Sequence, residues 1–194
     1  MNAPIHELKA ALRREMRQKL AALDPAVRRR DSERLMAWIG GSEGWRSGTA
    51  VLAFVAQPSE PDLGPLLAHA VAEGRTVCVP RWHPESGGYE AAVLTGPDAL
   101  EAGPFGVPEP GRSVPSVPWE RLDLILVPGL AFDPLGWRLG RGRGYFDRIL
   151  TQASSARRWG VAFDFQVVDH VPRESHDVNV HILATPQLGL TAAE

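Results

Sequence analysis

Cysteine is almost missing from this 194-residue chain: the single one, Cys78, lies inside the apolar run TVCVP. One thiol excludes an internal disulfide and any CxxC metal or redox site, and its apolar setting is that of a buried strand residue. A surplus of either charge is missing too, since 21 Lys and Arg face 23 Asp and Glu for a net charge of −2. That balance excludes binding to nucleic acid through a broadly positive surface, so any basic site has to be local. No apolar run approaches the ~18 residues of a membrane span, and the opening MNAPIHELKAALRREMRQKL lacks the apolar centre of a signal peptide. The expectation is a soluble, cytoplasmic protein without a membrane or nucleic-acid partner. Repeats and low-complexity tails are also absent.

What is present suffices for a sizeable core. A hydrophobic content of 44% over this length predicts one domain spanning residues 1–194. Ile5, Leu8, Leu12, Met16 and Leu20 recur at helical spacing, and a second helix restarts with Asp24 as N-cap and Pro25 at its first position. TAVLAFVA (49–56) reads as a strand, LGPLLAHAVAEG as a helix ending at Gly74, and RTVCVP as the next strand. GGYEAAVL is a further strand, and the proline-rich FGVPEPGRSVPSVPWE a connection within the domain. LDLILVPGLAF (122–132) is apolar without alternation, as a strand covered on both faces requires. An amphipathic helix from Tyr145 and the strands RWGVAFD and VHILAT complete an α/β fold. The fold class predicted is a three-layer sandwich, a mostly parallel central sheet flanked by helices, with ligands at the carboxyl ends of the strands.

Between the apolar strand and the last helix runs RLGRGRGYFDR (138–148), where Gly140, Gly142 and Gly144 alternate with Arg141 and Arg143. Strand, glycine loop, then helix is the order that phosphate sites use, because the helix's first N–H groups and its dipole favour an anion. Neither GxGxxG nor GxxxxGK[ST] is matched, and on pattern alone a glycine-rich turn with solvated arginines stays open.

The longer stretch LILVPGLAFDPLGWRLGRGRGYFDR resembles the signature of the 5-formyltetrahydrofolate cyclo-ligase family, also called methenyltetrahydrofolate synthetase. KAALR, FVAQPSEPD, FGVPEP and HDVNVHILAT resemble the family's other segments in the same order. Three positions depart from its pattern: Phe146 replaces a second tyrosine, Leu63 a threonine, and His181 an aspartate.

The resemblance implies ATP- and Mg²⁺-dependent cyclisation of 5-formyltetrahydrofolate, with or without a polyglutamate tail, to 5,10-methenyltetrahydrofolate, releasing ADP and phosphate. The formyl group is an amide and a poor electrophile, so its oxygen has to become a leaving group. Phosphorylation achieves that, and N10 then closes the ring. By resemblance, Lys9, Arg13, Arg138, Leu139, Gly140, Arg141, Gly142, Arg143, Gly144, Tyr145 and Phe146 hold ATP. Asp147 and Asp177 are the metal carboxylates; Val55, Glu60, Phe105 and Tyr145 contact the folate, Glu60 through the donor edge of the pterin. Tyr145 and Arg141 are expected at the reacting atoms. Lys9 and Arg13 share one face of the first helix, for which the alternative is a solvated basic surface. Trp82 and Trp119 are expected in the core or at the rim, and His176 in a structural role. A monomer is expected. Two other readings stay open: a same-fold enzyme acting on another small heterocycle, such as a thiamine-related compound, and a nucleotide-binding module without turnover.

Overall fold

A computed structural model describes residues 4–96 and 99–193. It opens with α1 (Ile5–Ala21), α2 (Pro25–Gly41) and the short α3 (Glu43–Ser47), followed by β1 (Ala50–Leu52), α4 (Gly64–Ala72), β2 (Thr76–His83) and β3 (Gly88–Val93). Then come β4 (Leu100–Ala102), β5 (Pro108–Pro110), β6 (Ser116–Val117), β7 (Leu124–Pro128), β8 (Ala131–Phe132) and β9 (Arg138–Leu139). The chain closes with α5 (Tyr145–Gln152), β10 (Arg157–Val161), β11 (Ile182–Thr185) and β12 (Gly189–Ala192). Asp24 caps α2 by accepting from the Ala26 amide at 2.7 Å, with Pro25 in the first turn.

Among the described residues the main sheet runs β12-β11-β10-β7-β1-β2-β3-β6. The five central strands, β11, β10, β7, β1 and β2, are parallel; β12 is antiparallel to β11 on one side, and on the other β3 is antiparallel to β2 and β6 to β3. Strand alternation builds both faces. Val51, Val77, Val79, Leu124 and Leu126 pack with Leu35 and Ile39 of α2, Trp45 of α3 and Leu67 of α4. Leu52, Cys78, Ile125 and Val127 turn the other way, onto Ile149, Leu150 and Ala153 on the α5 side. The predicted three layers are therefore present, with β7 buried on both faces. Burial pushes the Cys78 thiol up to about 12, so it stays an unreactive protonated side chain.

Three details differ from the sequence reading. The strand expected over 49–56 pairs only across Ala50–Leu52, because the chain then leaves the sheet and carries Phe54 and Val55 to a cavity wall. β12 and α3 have signals too short to separate from turns. The α1 stripe is also only half buried. Met16 and Leu20 are enclosed with Leu130, Leu139 and Phe163, whereas Ile5 and Leu8 are exposed and Lys9 is buried in their stead. No helix among the described residues is long and apolar enough to cross a membrane.

Candidate active site

Parallel strands bring their carboxyl ends to one rim, where β1 hands on to Phe54 and Val55 and β7 to Pro128 and Gly129. There α1 lies across the β8–β9 hairpin and a cavity of about 520 Å³ opens. Every residue singled out from the sequence as a site residue lines this cavity, with Phe105 alone left undescribed. That residue belongs to the 3₁₀ turn Pro104–Gly106, and its side chain lies outside the described residues.

The loop's glycines differ in purpose. Gly142 (φ 108°) and Gly144 (φ 63°) occupy the left-handed region. Gly140 serves close approach instead, since a Cβ there would meet Arg138 Nη1 at 2.8 Å. Gly144 is the N-cap of α5, and no side chain among the described residues caps that helix. Its first amides and the positive end of its dipole are thus directed to the cavity rim formed by Tyr145, Phe146 and Asp147, an arrangement suited to an anion.

Each assigned cation whose contacts are defined has a protein partner, which the sequence did not anticipate. Arg138 has a side chain only 3% exposed; Nη2 donates to Asp147 Oδ1 at 2.7 Å and Nη1 to the Pro128 carbonyl at 3.3 Å. Its buried Nε has no hydrogen-bond partner among the described residues, and its guanidinium stands 5.9 Å from the Phe146 ring centre. Arg141 donates to Glu60 Oε1 from Nη2 at 2.7 Å and from Nε at 3.1 Å. From α1, Arg13 donates to the Gly140 carbonyl at 3.0 Å and Arg17 to the Arg141 carbonyl at 3.1 Å. Lys9 and Arg13 are accordingly no solvated face. Arg17, four residues further along the same face, escaped the sequence reading although its i+8 spacing from Lys9 would have found it.

Lys9 Nζ donates to Glu174 Oε2 and Asp177 Oδ2, both at 2.7 Å, and so latches α1 to the segment before β11. Burial opposes charge on Lys9 and on Asp177, yet their mutual hydrogen bond and attraction prevail, raising the ammonium and holding the carboxyl below its usual range. Such a carboxylate contributes stability in full above its ordinary value and loses it as pH falls through the depressed one; the lysine contribution is lost only on the far alkaline side. Urea midpoints measured from pH 3 to 8 are therefore expected to show wild type more stable than Lys9→Met by a constant margin near neutrality. That margin should shrink below about pH 4, where carboxylates protonate.

Asp147 and Asp177 are each held by a cation, and no cluster of three or more His, Cys, Asp or Glu suited to a metal occurs among the described residues. The donor set fits a Mg²⁺ that keeps water and phosphate oxygens and takes one carboxylate, the usual habit of this ion. Buried Asp133 is a turn organiser, accepting from the Leu135, Trp137 and Val171 amides. His176 is exposed on the cavity wall, 3.8 Å from Asp177.

An aromatic cluster adjoins the glycine loop, with Tyr89 and Tyr145 lining the cavity. Tyr89 meets Tyr145 edge-on at 5.1 Å and Trp82 at 5.3 Å, and Trp82 lies 6.1 Å from Tyr145. Burial, with Tyr145 and Glu109 nearby, pushes the Tyr89 phenol up to about 12, so it remains a hydrogen-bond donor. Tyr89 was missed by the sequence reading, although its register opposite Trp82 in the β2–β3 pair carries the signal. Of the three departures, Leu63 is buried in the helix-covered core and His181 sits at the amino end of β11, accepting from the Arg158 amide at 3.2 Å. Neither lines the cavity, and Phe146 does.

Comparison with known proteins agrees. The model of the 5-formyltetrahydrofolate cyclo-ligase family matches residues 5–186. The chain is 36% identical to the 5-formyltetrahydrofolate cyclo-ligase of Mycolicibacterium smegmatis, over 95% of its own length and 96% of the relative's. With the mouse 5-formyltetrahydrofolate cyclo-ligase it shares 26% identity, over 91% and 92% of the two chains. The NMR structure of Aquifex aeolicus 5,10-methenyltetrahydrofolate synthetase superposes with a TM-score of 0.86 at 31% identity, covering 96% of this chain and 93% of that one.

Proposed function

This chain belongs to the 5-formyltetrahydrofolate cyclo-ligase family, and from that premise we propose that it converts 5-formyltetrahydrofolate to 5,10-methenyltetrahydrofolate at the expense of ATP, with Mg²⁺. The observation that carries the reading is the mixed lining of one cavity, in which a glycine loop, helix amino end and arginines adjoin the Tyr89–Tyr145 pair and Glu60. A polyphosphate at the loop and a flat heterocycle against the tyrosines then lie next to each other.

ATP supplies activation, by making the formyl oxygen a leaving group. The chain's own work is positioning and charge neutralisation. Loop amides from Gly140 to Gly144 and the uncapped start of α5 receive phosphate oxygens, and Lys9, Arg13, Arg138, Arg141 and Arg143 supply positive charge around them. Asp147, on the first turn of α5, is the carboxylate for Mg²⁺, with Asp177 beside Lys9 as the second acidic contact. Tyr145 packs against the bicyclic ring and donates near the formyl group, Val55 adds apolar wall, and Glu60 accepts from the pterin. The reading includes a monomer acting in the cytoplasm on mono- or polyglutamyl folate. The placement of Leu63 and His181 away from the cavity supports it over an enzyme for another heterocycle.

Mixing the protein with Mg-ATP and 5-formyltetrahydrofolate is expected to produce the near-ultraviolet absorbance of the methenyl product. Folded protein that binds ATP without this absorbance would favour the non-catalytic module.

A further inference from the structure

Glu60 faces the cavity yet is only 7% exposed, and both its carboxylate oxygens are engaged. Oε1 accepts both Arg141 Nη2 (2.7 Å) and Nε (3.1 Å), while Oε2 accepts the Gln57 amide at 2.9 Å. Beneath it, Arg28 donates to the Glu60 carbonyl at 2.8 Å and to the Gln57 carbonyl at 3.3 Å, so the 57–60 turn is tied down. Arg141 is held otherwise. Its carbonyl is fixed by Arg17 at 3.1 Å, but its side chain is 37% exposed against 9% for Glu60. The side of the pair with room to move is the guanidinium, on a backbone that stays in place.

We propose that the Glu60–Arg141 ion pair couples two ligands in the cavity: a polyphosphate at the glycine loop draws the guanidinium away, and the released carboxylate accepts the donor edge of a reduced pterin. This rests on the cyclo-ligase reading above. A pterin's ring N–H and amino group ask for the carboxylate whose Oε1 Arg141 now occupies, and a phosphate asks for the same guanidinium. Each ligand therefore removes the other's internal competitor, and the coupling is positive and reciprocal. Arg17 is a positioning residue here, keeping Arg141 within reach of both partners.

Titration calorimetry of the full chain with 5-formyltetrahydrofolate, with and without saturating Mg²⁺ and β,γ-imido-ATP, reads the coupling as a ratio of Kd values. Wild type is expected to bind the folate roughly tenfold tighter with the nucleotide. Arg141→Met should bind folate without nucleotide as tightly as wild type does with it, bringing the ratio to about one. Glu60→Gln should bind the nucleotide alone roughly tenfold tighter than wild type does, again with a ratio near one. A purely structural pair would weaken both ligands in both variants. Wild-type binding of both ligands without coupling, or a tenfold ratio retained in Arg141→Met, overturns this proposal alone. Wild type that binds neither ligand overturns the cyclo-ligase reading with it.

Discussion

Gly142→Val is expected to lower kcat/KM about a thousandfold, equivalent to roughly 4 kcal/mol of transition-state stabilisation. Gly142 holds φ at 108°, where a β-branched residue is strained whatever space surrounds it. The loop would relieve that strain by rotating the peptide units on either side, which turns their amides away from the phosphate oxygens they are proposed to meet. A Cβ at this position would stand in ordinary contact with Arg13 Nε at 3.5 Å, so the strain comes from the backbone conformation and not from crowding. The segment is exposed and carries no core side chain, so the loss of stability should stay near 1 kcal/mol. Methenyl absorbance for turnover and urea unfolding for stability measure the two effects separately. Turnover within tenfold of wild type would show that the loop's backbone conformation is not what binds the nucleotide.

The sheet was legible because its signals are local. LILV had to be covered on both faces, and its alternate residues do divide between the α2–α4 side and the α5 side. Asp24 with Pro25, and Gly74 at φ 78°, mark helix ends through chemistry confined to a few residues. The cavity's lining was legible as a set of residues and not as a set of bonds. Nothing near Lys9 in sequence announces that its partners lie at Glu174 and Asp177, and helical periodicity ranked Ile5 and Leu8 as the buried residues instead. Glu60 and Arg141 each carried a ligand-facing role, yet each holds the other, which only the convergence of the segments after β1 and β9 brings about. Tyr89 escaped because a lone tyrosine on a strand has no motif; its place came from the register of the β2–β3 pair.

Asp147→Asn should lower kcat about a hundredfold, destabilise the protein by about 3 kcal/mol and raise the Mg²⁺ concentration needed for half-maximal rate. Two duties meet on this side chain. Oδ1 accepts a hydrogen bond from Arg138 Nη2 at 2.7 Å, and that guanidinium is 3% exposed with a buried Nε that has no partner among the described residues. An asparagine oxygen can keep the hydrogen bond, but it leaves the buried cation without its counter-charge, and breaking a buried pair from one side is the costly direction. Oδ2 is the atom proposed to meet Mg²⁺, and an amide is a far weaker ligand for a hard cation than a carboxylate. The effects separate experimentally, because urea unfolding without Mg²⁺ or nucleotide reports the Arg138 contribution, while a Mg²⁺ titration of kcat reports the metal. A lower urea midpoint with an unshifted Mg²⁺ requirement would assign Asp147 to Arg138 alone, and the metal's carboxylate would then have to be Asp177, released from Lys9.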